Sequence, residues 1–166
     1  MKKYLEEQLS CLLPCRFLRT YEGKKIFVIQ FYKPEADERG SLEIDDIISL
    51  NVTALARITN DVEILLAQID IHEPGEGVDE EAFEKGVEEN SIFTQKAESV
   101  TKLLSKKKVE QISVDNYGGF VIKIEGGYHI EVFVGSSSQL ESWRLIDIET
   151  DKHFVFEGIE TKPIWE

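Results

Sequence analysis

The sequence predicts an α+β fold built from two similar halves, each a helix packed on an antiparallel β-meander. Three observations predict it. Hydrophobic residues make up 42% of the 166 positions, enough to fill a core. Period-two alternation recurs in short runs bounded by turn residues, the mark of half-buried strands. The order helix, strand, further strands, arginine-bearing strand and hairpin return can be traced once before an acidic stretch and again after it. The resulting division is a first half at 1–72, an acidic connection at 73–93 and a second half at 94–166, within one compact unit.

Residues 3–13 read as a short helix. Leu5, Leu9, Leu12 and Leu13 fall on one face and Pro14 stops it. Residues 26–32 are a continuous apolar and aromatic run, consistent with a strand buried on both faces. A polar connection from Lys33-Pro34 to Gly40 follows, and another strand starts at 42–44. Over 48–59 the residues Ile48, Leu50, Val52, Ala54, Ala56 and Ile58 alternate with Ser49, Asn51, Thr53, Leu55, Arg57 and Thr59, which predicts one long strand. Its antiparallel return is 62–71. A three-residue loop Thr59-Asn60-Asp61 sets Ile58 opposite Val62, Ala56 opposite Ile64 and Ala54 opposite Leu66. It also sets Arg57 opposite Glu63 on the other face. A two-residue loop would mix the faces.

The segment 73–89, EPGEGVDEEAFEKGVEE, holds eight carboxylates and one lysine. Pro74, Gly75 and Gly77 make its start a loop, and a short helix fits 79–86. Residues 94–107 read as an amphipathic helix with Phe93, Ala97, Val100 and Leu104 at helical spacing. Lys106-Lys107-Lys108 at its C-terminal end suits the helix dipole. Strands follow at 109–114, 119–125, 128–134, 141–148 and 153–157. At Gly126-Gly127 a three-residue loop that includes Glu125 sets Ile124 opposite Tyr128 and Ile122 opposite Ile130. Gly127 then takes the left-handed position of a bulged turn. The apolar parity shifts near Asp147, the sign of a bulge or twist. Between the halves, Phe27-Val28-Ile29-Gln30-Phe31 aligns with Phe120-Val121-Ile122-Lys123-Ile124. Ala56-Arg57-Ile58 likewise aligns with Trp143-Arg144-Leu145.

The formal net charge is −13. That field repels phosphate backbones, which argues against direct nucleic-acid binding. It keeps a chain in solution and it also suits a basic protein partner, and charge alone does not choose between the two. No apolar run approaches the roughly 20 residues that span a bilayer. The N-terminal Met-Lys-Lys-Tyr-Leu-Glu-Glu turns acidic where a signal peptide turns apolar, so a cytoplasmic location is expected. Cys11 and Cys15 are too few for a disulfide framework, and Pro14 stands between them. His72, His129 and His153 lack metal-ligand spacing, and no phosphate-binding, dinucleotide or nucleophile-elbow motif occurs. Ser136-Ser137-Ser138 reads as a surface loop, and the Gly-Gly pairs as hairpin glycines. Neither Asp45-Asp46 nor Asp79-Glu80-Glu81 has calcium-loop spacing. No metal or cofactor is expected, and the balance is against an enzyme.

Trp143-Arg144 is the constellation that carries most information. Glu141 precedes it, and Glu157 is expected opposite Arg144 across the hairpin. Under one reading Trp143 fills the core and Arg144 pairs with a carboxylate at the sheet surface. Under the other, both form a binding face, since Trp and Arg are common interface anchors. The candidate partner-binding residues are Trp143, Arg144, Glu141, Arg57, Glu80 and Glu81. The alternative function is a small-molecule-binding or hydrolytic pocket between the halves, lined by Arg57, Trp143 and Arg144. Strand edges admit a monomer or a homodimer.

At these residues the chain resembles a family of small bacterial proteins with no established activity. The resemblance rests on Asp115-Asn116-Tyr117-Gly118-Gly119, Gly127-Tyr128-His129-Ile130-Glu131-Val132-Phe133, the serine loop, Glu141-Ser142-Trp143-Arg144 and His153-Phe154-Val155. In the first half a Trp-Arg pair expected from the family reads Ala56-Arg57, so no role carries over to that tryptophan position. The resemblance implies the fold and transfers no catalytic residue. By analogy, small acidic bacterial proteins of this kind are often partners of toxins. The functional expectation is therefore a non-enzymatic protein-binding protein, with an acidic immunity-type inhibitor as its particular form.

Overall fold

The computed structural model describes residues 1–137 and 140–158. Ser138 of the serine loop and residues 159–166 of the expected second half lie outside them. Helix α1 (Lys2–Leu9) continues as a 3-10 turn over Ser10–Leu12. Leu5, Leu9 and Leu12 are buried, but Leu13 is exposed rather than sharing their face. The step of three from Leu9 to Leu12 fits the tighter turn, which rotates Leu13 off the stripe. A meander follows: β1 (Arg16–Gly23), β2 (Ile26–Tyr32) and β3 (Ile47–Val52). Helix α2 (Glu35–Arg39) lies between the last two. A hairpin of β4 (Leu55–Thr59) and β5 (Ile64–Ala67) ends the first half. After α3 (Glu80–Glu84) the order repeats: helix α4 (Ile92–Leu104), meander β6 (Val109–Val114), β7 (Phe120–Ile124) and β8 (Tyr128–Phe133), and hairpin β9 (Trp143–Asp147) and β10 (Lys152–Phe156).

This is an α+β fold with two antiparallel five-stranded sheets. One has the order β1-β2-β3-β9-β10, the other β5-β4-β8-β7-β6. Each sheet therefore joins the meander of one half to the closing hairpin of the other. The cause lies at Thr53-Ala54, inside the stretch expected to be one strand. Both backbone N–H groups donate to the carbonyl of Ser142, at 3.0 and 2.9 Å, and the chain turns from one sheet into the next. Parity survives the corner, because Ile48, Leu50, Val52, Ala56 and Ile58 all face the core. Alternation reports which face is buried and says nothing about which sheet owns it.

The two halves match in register. Phe27 and Phe120 pair with Val52 and Val132, which in turn pair with Trp143 and Ala56. Arg144 and Arg57 then occupy equivalent places. Even the bulges coincide: Phe17/Arg19 in β1 and Val109/Gln111 in β6 each precede the same step of the ladder. Both alignments made from sequence fall on these equivalent positions.

Between the sheets lies one core, which draws on both halves. Helix α4 packs on β1 and β5, and α1 packs on β6. Ser91 caps α4 by accepting from the Thr94 N–H, and Phe93, Ala97, Val100 and Leu104 form its buried stripe. The helix ends at Leu104, so the three lysines lie beyond it. They lead instead into a bridge with β1, in which the Phe17 N–H donates to the Lys107 carbonyl and the Lys106 N–H to that of Phe17.

Turn chemistry decided the hairpin registers. Ile124 pairs with Tyr128 and Ile122 with Ile130, as expected, with Gly126 and Gly127 at φ 91° and 83°. The β4–β5 register differs from expectation: Ile58 pairs with Leu66, Arg57 with Ala67 and Thr59 with Ile64. The Asn60 side-chain oxygen accepts from Val62 and Glu63 N–H groups, both at 2.8 Å, which closes a longer loop. Val62 is left 91% exposed, while a bulge at Ile58/Thr59 brings Leu66 into the core. No bulge interrupts β9 near Asp147. No helix among the described residues is long and apolar enough to cross a membrane.

Candidate functional site

Trp143 belongs to the core. It is 0% exposed, stacks on Phe156 with centroids 5.4 Å apart, and meets Phe120 edge-on at 5.1 Å. Its Nε1–H donates to the carbonyl of Gly118 at 2.9 Å, tying β9 of one sheet to the turn before β7 of the other. Gly118 has φ 94°, and a Cβ there would lie 2.0 Å from the Phe156 ring. Only glycine fits that turn. The diagnostic Asp115–Gly119 stretch is therefore a seat for the indole and its stacked ring. The Asp115 carboxylate closes it by accepting from the Tyr117 and Gly119 N–H groups.

Arg144 points the other way, onto the outer face of its sheet. Its expected partner, Glu157, is displaced by register, since Arg144 pairs with Val155 and Asn51. Glu141 takes the place instead, accepting from Nε at 3.1 Å and Nη2 at 2.8 Å in a bidentate pair. The Nη1 lies 3.2 Å from His153 Nδ1. The same face carries Arg19, which donates to Gln30 at 2.7 Å, and Ser49, which donates to Asn51 at 2.9 Å. None of its strand positions is a carboxylate. Sequence reasoning missed this polar face, because outward residues on strands far apart in the chain leave no local signal.

Arg57, equivalent to Arg144 in register, lies on the outer face of the other sheet. It pairs with Glu131 directly opposite, not with Glu63, and its guanidinium lies 5.3 Å above the Phe133 ring. Arg57, Trp143 and Arg144 thus face in three directions: the outer face of one sheet, the core, and the outer face of the other sheet. The histidines are dispersed too: His72 in a 3-10 turn, His129 on β8 and His153 on β10. Cys15 is buried, and burial pushes its thiol up to about 12, so it stays protonated.

Glu80 and Glu81 sit on α3, within an acidic excursion that is pinned rather than loose. The Ile92 N–H donates to the Glu73 carbonyl and the Gly75 N–H to that of Asn90. Gln95 exchanges hydrogen bonds with the backbone of Glu76 in both directions. Gly75 fits the close approach there, since a Cβ would fall 2.7 Å from the Asn90 carbonyl oxygen as well as against the Gln95 amide. Asp79 caps α3 through the Ala82 N–H, and Lys25 lies 5.7 Å from the Phe83 ring. Glu73, Glu76, Asp79, Glu80, Glu81, Glu84, Glu88 and Glu89 are all exposed. Lys85 pairs with Glu81, and the Asp79 N–H donates to Glu88. Comparison with protein-family models, curated proteins and solved structures found no significant match to this chain.

Proposed function

We propose that this chain is a non-enzymatic, cytoplasmic protein-binding protein whose acidic excursion takes a basic partner. An immunity-type inhibitor that neutralises a basic toxin is the particular form. The observation that carries the reading is the exposure of eight carboxylates on a segment anchored at both ends. Net charge alone would be satisfied by scattered surface acids. Here the carboxylates are concentrated, and the hydrogen bonds to Glu73, Gly75, Glu76 and Asp79 hold the backbone that bears them. Such pre-organisation reduces the ordering cost of binding, and the clustered charge speeds encounter with a cation-rich surface.

The test is affinity capture in the native host, with products of neighbouring genes as candidates. Wild type is compared with a variant whose Glu80, Glu81, Glu84 and Glu88 are changed to glutamine. A basic protein retained by wild type and lost by the variant supports the reading. No protein partner, together with no effect of altering the segment, sinks it.

A further inference from the structure

The corner where the chain crosses between sheets breaks the repeat. Thr53 is followed at once by Ala54, whereas Phe133 and Glu141, their equivalents by register, are separated by residues 134–140. At this corner Leu55, the first residue of β4, pairs with Phe133, the last of β8, on the outer face. They are 60% and 43% exposed, and Leu140 is 70% exposed. Leu55 and Leu140 line a concavity of about 370 Å³ together with Thr53, Gly135 and Ser142. A single exposed leucine needs no explanation. Adjoining large apolar groups beside a concavity have the form of an interface anchor. Arg57 lies along the edge of the patch, its guanidinium 5.3 Å from the Phe133 ring while it pairs with Glu131.

The acidic excursion starts from the same end of the molecule. Strand β5 runs from Ile64 opposite Thr59 to Ala67 opposite Arg57, so the chain leaves it toward Leu55. The Lys24-Lys25 hairpin tip lies there too, because Phe27 pairs with Val52 just before the corner. Lys25 also reaches Phe83 of α3. Apolar anchor and clustered carboxylates thus share one end of the fold.

We propose that this corner is where a basic protein partner is gripped. An apolar side chain from a lysine- or arginine-rich segment enters the concavity against Leu55 and Leu140, with Phe133 beside Leu55 at its edge, and its flanking cations face the acidic excursion. The proposal rests on the reading above and adds the anchor that charge alone lacks. A second copy of this chain does not suit the site, because a charge of −13 repels itself.

The probe is a short lysine–glycine peptide with one central phenylalanine, titrated by fluorescence anisotropy into the full chain. A control peptide has serine in place of the phenylalanine. Wild type is expected to bind the phenylalanine peptide about tenfold more tightly than the control, one good anchor's worth. L55S/F133S is expected to reduce that peptide to the level of the control while leaving control binding unchanged. L140S, in the loop and away from the strand pairing, is expected to weaken it in the same direction. Equal binding of both peptides, or no effect of L55S/F133S and L140S, overturns the anchor and leaves the acidic reading standing. Failure of both peptides to bind wild type at low salt overturns the acidic reading and this proposal with it.

Discussion

Replacing Trp143 by phenylalanine separates a packing role from a binding role. The indole is fully buried, and its Nε1–H satisfies the carbonyl of Gly118, itself a buried residue. Phenylalanine keeps a ring against Phe156 but removes the donor, and an orphaned buried carbonyl costs about 1–3 kcal/mol. The missing part of the indole leaves a void that costs about 1 kcal/mol more. The expected loss is about 2–4 kcal/mol, a large share of the roughly 5–15 kcal/mol that holds a domain together. Trp143→Ala removes the whole side chain as well, about 3–5 kcal/mol for the packing alone. Urea unfolding followed by circular dichroism reads the loss as a lower midpoint at unchanged slope. Binding of the lysine-rich peptide, measured where the variant is still folded, should match wild type. A W143F chain as stable as wild type, or one that is folded but no longer binds, would refute the assignment of Trp143 to the core.

Other consequences can be checked alongside it. Gly118→Ala meets both a φ of 94° and a ring carbon 2.0 Å from the new Cβ, so it should destabilise by about 2 kcal/mol or more; an unchanged unfolding midpoint would contradict the geometry. A protease site placed at Gly86, on the exposed excursion, should yield two fragments that co-elute until denaturant is added, because each sheet contains strands from both; fragments that separate in native buffer would disprove the interlacing. Asp46 is held below its ordinary value of 3.8 first by the Glu43 N–H and then by Arg39. Its lowered pKa contributes stability above that ordinary value, lost as pH falls through the folded one. Asp46→Asn should flatten the acid limb of the stability curve below about pH 4; a limb as steep as wild type would count against this source.

Local pattern made much of the fold legible. The continuous run at 26–32 became β2, the amphipathic stripe from Phe93 to Leu104 became α4, and the Gly126-Gly127 register was read correctly. What escaped was long-range. The single strand over 48–59 divides because Thr53 and Ala54 donate to Ser142, far along the chain. The Asn60 side chain overrode the hydrophobic register expected at β4–β5. The site was legible in the same proportion. The acidic segment and its short helix could be seen, whereas pairs such as Arg57–Glu131 depend on which sheet each strand joins. The anchor at Leu55 and Phe133 has the same origin, since only the crossed topology sets them side by side.

The most direct test of the acidic docking surface is the dissociation constant of the lysine-rich phenylalanine peptide for wild type and for E80Q/E81Q/E84Q/E88Q, each at low and high salt. Removing four exposed charges, at roughly 0.3–0.5 kcal/mol each, should weaken binding about tenfold at low salt. The difference should shrink as salt screens the wild-type surface. Equal constants for the two proteins at low salt would contradict the account.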